Sequence, residues 1–259
     1  MKDKIALLFC GGGMGSVYSV GSILGLIDKY ELTTPFIVIA GSGSAGTASY
    51  FIAKQYSSIK NIWLNLLSTK KFINFFRFWK IMNIDYLIDE VFKRQDMLNA
   101  KNISNSKIKY YLSLTNYQTG KIEFFNVKKN VFELMRATKA MPIIYNKKIR
   151  IGNNLYCDSF LSSSGIDLKI KKAVELGANK IIVFDPNIDN KTGHIFYNLL
   201  KLFRKKEFVK NQHNQEKFKY KAPLNIKIYY VKPKKKLKIS VLCNKKEVLK
   251  KIYEEGYKD

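Results

Sequence analysis

Ile37-Val38-Ile39-Ala40-Gly41-Ser42-Gly43-Ser44-Ala45-Gly46-Thr47 is the stretch whose reading decides the fold. A β-branched apolar run enters a cluster of the smallest residues, a serine lies inside it, and a helix-like segment follows. The order strand, sharp turn, helix pushes a hydroxyl out of a tight elbow, with helix N–H groups behind it. Such a turn brings the backbone two residues before the serine close to that two residues after it, so both flanks must be small. Ser44, between Ser42 and Gly46, meets that condition, and so does Ser42, between Ala40 and Ser44. A plain Gly/Ser connector is the competing reading, so the surrounding chain has to decide.

Upstream, Ile5–Cys10 reads as a buried strand and Gly11-Gly12-Gly13-Met14-Gly15-Ser16 as a glycine-rich turn. The segment after it spaces Val17, Val20, Ile23, Leu24 and Ile27 helically, which predicts a helix over Val17–Tyr30. Gly21 and Gly25 inside that helix each cost about 1 kcal/mol relative to alanine, and they predict close packing against a sheet. Phe36–Ala40 is a second strand, and the serine elbow opens a second helix through about Tyr56. A β-α-β-α opening calls for a parallel sheet with helices on its faces.

Downstream, Tyr110–Thr115 and Lys121–Phe125 read as strands joined across Asn116–Gly120. Val131–Ala140 is a helix ended by Pro142, and Lys148–Ile151 and Asn154–Cys157 are short strands around Gly152-Asn153, with Asp158 directly after them. A helix over Lys169–Gly177, strands over Lys180–Phe184 and Ile226–Val231, and a final helix over Lys245–Tyr257 complete the reading. With neither repeat nor linker, one domain over residues 1–259 is expected. It carries a basic and aromatic cap at about 59–94 and a lysine-rich loop or helix at about 190–222.

Lys and Arg number 46 against 20 Asp and Glu, a net charge of +26, so the surface concentrates anionic partners. A genome-wide lysine bias gives the same excess. Cys10, Cys157 and Cys243 form neither a disulfide framework nor a zinc site, and Cys10 and Cys157 are expected to be buried free thiols. The apolar run before Gly11 is too short for a signal peptide, and no run approaches the ~20 residues of a membrane span. Between Ile62 and Lys80 aromatics alternate with basic residues, and both tryptophans, Trp63 and Trp79, lie there. That composition suits a membrane interface or a core-facing cap.

The glycine turn has two chemical readings. As a dinucleotide fingerprint, and hence an NAD(P)-binding oxidoreductase, it needs Gly11, Gly13 and a third glycine where Ser16 stands, with an acid near Glu31. As an anion hole it offers backbone N–H groups to developing negative charge. Acyl transfer needs that hole, a nucleophile on the next loop, and a base. The histidines, His194 and His213, lie in the polar lysine-rich region; the order Ser44, Asp158, His194 would fit a triad. A desolvated carboxylate serves instead, and Asp158, ending an apolar strand, is placed for it. Asp185, followed by Pro186, reads as a strand-exit turn.

The residues from Gly11 to Gly21 resemble the glycine-rich oxyanion loop and helix that open the patatin-like phospholipases. Ser42-Gly43-Ser44-Ala45-Gly46 resembles their Gly-x-Ser-x-Gly elbow, with Ser44 matching the nucleophile and Ser42 left as spacer. Cys157-Asp158-Ser159-Phe160 resembles their strand ending in the catalytic aspartate, matched by Asp158. Ala137–Pro142 and Ala173–Pro186 are similar to the steps on either side of it. The chain departs from the pattern at Gly15 (a basic residue in the family), at Ser16 and Ser42 (glycines), and after Asp158, where Ser159 and Phe160 replace glycines. The resemblance implies a three-layer α/β/α fold with a mainly parallel central sheet, and a lipid acyl hydrolase of the phospholipase A or lysophospholipase kind. It implies a Ser44–Asp158 dyad working through an acyl-enzyme, and an oxyanion held by Gly11, Gly12, Gly13, Met14 and Gly15. No metal or cofactor is called for. The expected partners are a phospholipid or lysophospholipid substrate and an anionic membrane surface, with no specific nucleic acid. The expected setting is cytoplasmic and peripheral to membranes. A catalytically degenerate basic lipid-binding relative is the alternative.

Overall fold

The computed structural model describes residues 3–145, 147–159, 165–188 and 206–259. Its strands are β1 (Ile5–Phe9), β2 (Ile37–Ala40), β3 (Lys109–Asn116), β4 (Ile122–Asn126), β5 (Ile149–Ile151), β6 (Asn154–Cys157), β7 (Lys180–Phe184) and β8 (Lys227–Val231). They form one sheet in the order β5-β6-β3-β2-β1-β7-β8, with β4 paired to β3 beside that path. β1 runs parallel to both neighbours, with Leu7 opposite Val38 of β2 and Ile182 of β7. β2–β3 and β7–β8 are also parallel, whereas β4, β5 and β6 join antiparallel. The chain fills one side of β1 with β2 and β3 and returns to the other side with β7 and β8. In such a sheet a crevice opens at the carboxyl end of the strand where the order reverses.

β1 reads as an unbroken apolar run because both faces are covered. Leu7 and Phe9 enter one core with Val17, Val20 and Phe51, while Ala6, Leu8 and Cys10 enter another with Ile170 and Ala173. The helices on the first face are α1 (Val17–Tyr30), α2 (Ser44–Ile52), α3 (Tyr56–Asn61), α4 (Ala100–Asn105) and α5 (Val131–Lys139); α6 (Gly165–Glu175) covers the second. Two further α-helices among the described residues are α7 (Lys206–Lys217) and α8 (Lys246–Lys258). A central sheet between helical layers is consistent with the patatin-like α/β/α fold expected from the sequence.

Two expectations are corrected here. Gly21 and Gly25 face α8 rather than the sheet: a Cβ on Gly21 would strike the Tyr253 carbonyl, and one on Gly25 would lie 2.6 Å from Tyr257 O. Gly256 of α8 answers them against the carbonyl of Tyr18. Small residues once per turn let the two helix backbones touch. The helix after the elbow stops at Ile52 instead of reaching Tyr56, because Lys54 turns left-handed (φ 60°) before α3 begins.

The 59–94 segment divides. Ile59, Ile62, Trp63, Phe72, Leu87 and Phe92 are buried, while Phe75, Phe76, Phe78 and Trp79 stand in solvent. Two π-helical stretches, Ile62–Leu66 and Tyr86–Gln95, frame it. Cys10 and Cys157 are buried and outside any disulfide, as expected; burial pushes the Cys10 thiol up to about 12, so it carries no thiolate. Among the described residues, no helix is long and apolar enough to cross a membrane. His194, Phe160 and the whole 190–205 stretch of the lysine-rich region lie outside the described residues.

Candidate active site

β2 ends at Ala40 and α2 begins at Ser44, so Gly41, Ser42 and Gly43 make the whole turn. Ser42 adopts φ 53°, a left-handed backbone that residues with a Cβ seldom take. Its neighbours must be glycines: a Cβ on Gly41 would collide with Ser113 Oγ, and one on Gly43 would lie 2.6 Å from Gly13 O. A strained residue at a strand-to-helix joint is the one whose side chain is thrown outward. The Ser42 hydroxyl donates to Asp158 Oδ2 at 2.8 Å. Ser44 is already helical, and its hydroxyl turns inward to donate to Cys10 O at 2.5 Å. The pairing expected for Ser44 is therefore corrected: Asp158 meets Ser42. Both serines have small residues two places away, which is why that rule could not separate them. The distinguishing signal was the glycine immediately on each side of Ser42.

Asp158 follows β6, whose Cys157 lies opposite Thr115 at the end of β3, and its N–H donates to Ala140 O at 3.1 Å. The C-terminal end of α5 grips the elbow from beneath. Thr138 Oγ1 accepts the Ser42 N–H at 2.9 Å and donates to Ser113 O at 2.9 Å. Lys139 Nζ donates to Ser42 O at 2.7 Å and to Gly43 O at 3.1 Å. Burial pulls the Lys139 ammonium down to about 7, against the attraction of Asp158. On the other side Lys169 Nζ donates to Phe9 O at 2.9 Å; burial lowers it too, opposed by Cys10, Asp158 and Asp185. Sequence reasoning used Thr138 and Lys139 only as register marks, because nothing local announces that a lysine ending a helix will point into the interior.

The glycine turn lies against this serine. A Cβ on Gly11 would sit 2.9 Å from Ser42 Cβ. The Met14 N–H donates to Val241 O and the Gly15 N–H to Gly12 O, each at 3.0 Å. Those two expected oxyanion donors are thus taken up by the fold. Among the described residues the N–H groups of Gly11, Gly12 and Gly13 donate no hydrogen bond. The departure at Gly15 has a packing reason, since a Cβ there would lie 2.7 Å from Ile188 Cγ2.

The other candidates stand apart. Glu31 caps the far end of α1, a 14-residue helix, roughly 20 Å from the glycine turn. That position does not fit the dinucleotide fingerprint. Asp185 accepts the Asn187 N–H at 2.9 Å, the strand-exit turn expected of it. His213 is exposed on α7, a helix that packs on the β3–β4 turn through Gln215 and Gly120.

Ser42, Asp158 and Lys139 border a cavity of about 40 Å³ whose other walls include Ile59, Ile62, Trp63, Phe72, Met82 and Leu87. Trp63 is anchored by its indole N–H donating to Thr47 Oγ1 at 3.1 Å. Polar chemistry thus sits at one end of an apolar chamber.

No family model and no curated protein matches this chain. Among solved structures, the fold is similar to that of VipD from Legionella pneumophila, with a TM-score of 0.55 and 11% sequence identity. The match covers 99% of this chain and 66% of the VipD chain, so the likeness spans this fold and just under two thirds of the other protein.

Proposed function

We propose that this chain is a lipid acyl hydrolase with Ser42 as nucleophile, Asp158 as base and the Gly11–Gly13 N–H groups as oxyanion donors. The observation that carries the reading is the 2.8 Å bond from Ser42, left-handed at its elbow, to a buried carboxylate beside a glycine turn. Asp158 takes the Ser42 proton as Oγ attacks the ester carbonyl. The carbonyl oxygen becomes an anion facing the glycine N–H groups. Collapse breaks the ester bond, and Asp158 returns the proton to the departing alcohol. Water, deprotonated by Asp158, then attacks the acyl-enzyme, releasing the fatty acid and restoring the Ser42 hydroxyl. Thr138 and Lys139 hold the elbow through its N–H and carbonyls.

The apolar chamber favours an acyl chain over a polar substrate. Its volume of about 40 Å³ matches only one or two waters, so substrate entry requires the walls to part. Met14, Met82 and Met141 in the lining are unbranched and repack readily. The resemblance to patatin-like phospholipases and the fold shared with VipD both support this chemistry.

Fatty-acid release from phospholipid vesicles tests the reading. Ser42→Ala and Asp158→Asn should each abolish release, whereas Ser44→Ala retains it. Loss in the Ser44 variant with full activity in the Ser42 variant would return the nucleophile to Ser44.

A further inference from the structure

Residues 69–84 contain Lys70, Lys71, Arg77 and Lys80 and no acidic residue. They fold as a hairpin: Ile73 bridges Met82 antiparallel, and the Asn74 N–H donates to Ile81 O at 2.9 Å. The tip is built rather than frayed. Arg77 folds back, its Nη2 donating to the carbonyls of Lys70, Lys71 and Phe72 at 3.1, 3.1 and 3.2 Å. Lys80 pairs with Asp85 at the other flank. With its arginine turned inward, the tip presents its aromatics outward. Phe75, Phe76, Phe78 and Trp79 are 57, 86, 75 and 65% exposed. Four large apolar side chains clustered on one short turn form an exposed patch of the kind that marks an interaction site. Lys70 and Lys71 stand exposed at its base.

We propose that this hairpin is a docking element for an anionic lipid bilayer, with the four aromatics entering the interface and Lys70 and Lys71 meeting the headgroups. Charge decides the occupant. A lone aromatic cluster would suit any apolar partner, but this one rises from an acid-free basic segment on a chain of net charge +26. Aromatic rings with lysines beside them match the boundary between acyl chains and anionic headgroups. The base of the same hairpin supplies Phe72 and Met82 to the cavity wall beside Ser42. Docking would therefore bring the cavity close to lipid. The proposal deepens the lipid-hydrolase reading and rests on it for its purpose, though not for its test.

Binding is read by co-sedimentation of the Ser42→Ala protein with vesicles of phosphatidylcholine, with and without phosphatidylglycerol. Hydrolysis of a monomeric short-chain ester is read separately, in proteins that keep Ser42. The expected result is salt-sensitive binding to the anionic vesicles. The variant Phe75→Ser, Phe76→Ser, Phe78→Ser, Trp79→Ser should bind them at least about tenfold more weakly while cleaving the monomeric ester as before. Equal binding by that variant, or no binding by the Ser42→Ala protein, overturns the proposal. So does a dimer that the variant turns into a monomer, since a second copy would then cover the patch. Vesicle binding without ester cleavage would sink the hydrolase reading and leave the docking element standing.

Discussion

At Lys139 a cation that ordinarily titrates near pH 10.5 is held to about 7 by burial, with Asp158 opposing. The sign of the consequence is fixed. Between about pH 7 and 10.5 the unfolded chain binds a proton at this site that the folded chain does not, so stability from this group rises with pH across that window. Lys139→Met removes the linkage. Thermal unfolding of both proteins should show the parent gaining on the variant as pH is raised, by at most about 1.4 kcal/mol per pH unit. Parallel curves would mean that Lys139 keeps its ordinary affinity for protons. The same substitution strips two hydrogen bonds from the elbow carbonyls, so ester cleavage at fixed pH should fall through kcat rather than KM.

At the scale of elements, the cavity wall hangs on one carboxylate. Asp85, just before the π-helical stretch Tyr86–Gln95, bonds Arg136 of α5 and accepts from Tyr145 Oη at 2.6 Å and Lys147 Nζ at 2.9 Å. Arg136 continues to both oxygens of Asp89 at 2.8 Å. Burial alone would raise the Asp85 carboxyl, but Lys80, Tyr145 and Lys147 outweigh it and hold it well below the usual carboxylate range. Its stabilisation is therefore present above the unfolded value of about 4 and is lost as pH falls below that. Asp85→Asn should cost about 2 kcal/mol at pH 7, and the gap to the parent should close in melts taken progressively below pH 4. A gap unchanged at pH 3 would place the cost elsewhere. None of this network was legible in the sequence, since Asp85, Arg136 and Lys147 are joined only by the fold. The strands were legible for the opposite reason: a sheet buried on both faces writes itself as local apolar runs, such as Lys180–Phe184, whose bounds match those expected.

For the whole molecule, the C-terminal helix closes the structure over α1 and reaches the glycine turn. Gly256 lies against the Tyr18 carbonyl, and Val241, just upstream of α8, accepts the Met14 N–H at 3.0 Å. Gly256→Leu has no space between these backbones and should destabilise by about 3 kcal/mol. Thermal melts measure that loss, and fluorophosphonate labelling of Ser42 should fall with it if the turn depends on α8. An unchanged melting temperature would show that the helices part without cost. The α/β architecture and the three chemical segments could be read from order alone: glycine turn, serine elbow, strand ending in aspartate. Which serine faces Asp158 could not, because that depends on the left-handed turn at Ser42 and on the reach of α5 beneath it.

The most direct test of the Ser42–Asp158 dyad is labelling by a serine-reactive fluorophosphonate, with the modified residue mapped by peptide mass spectrometry. Ser42 should carry the label in the parent and in Ser44→Ala, and Asp158→Asn should suppress it. A label on Ser44, or undiminished labelling of the Asp158→Asn protein, would contradict the dyad.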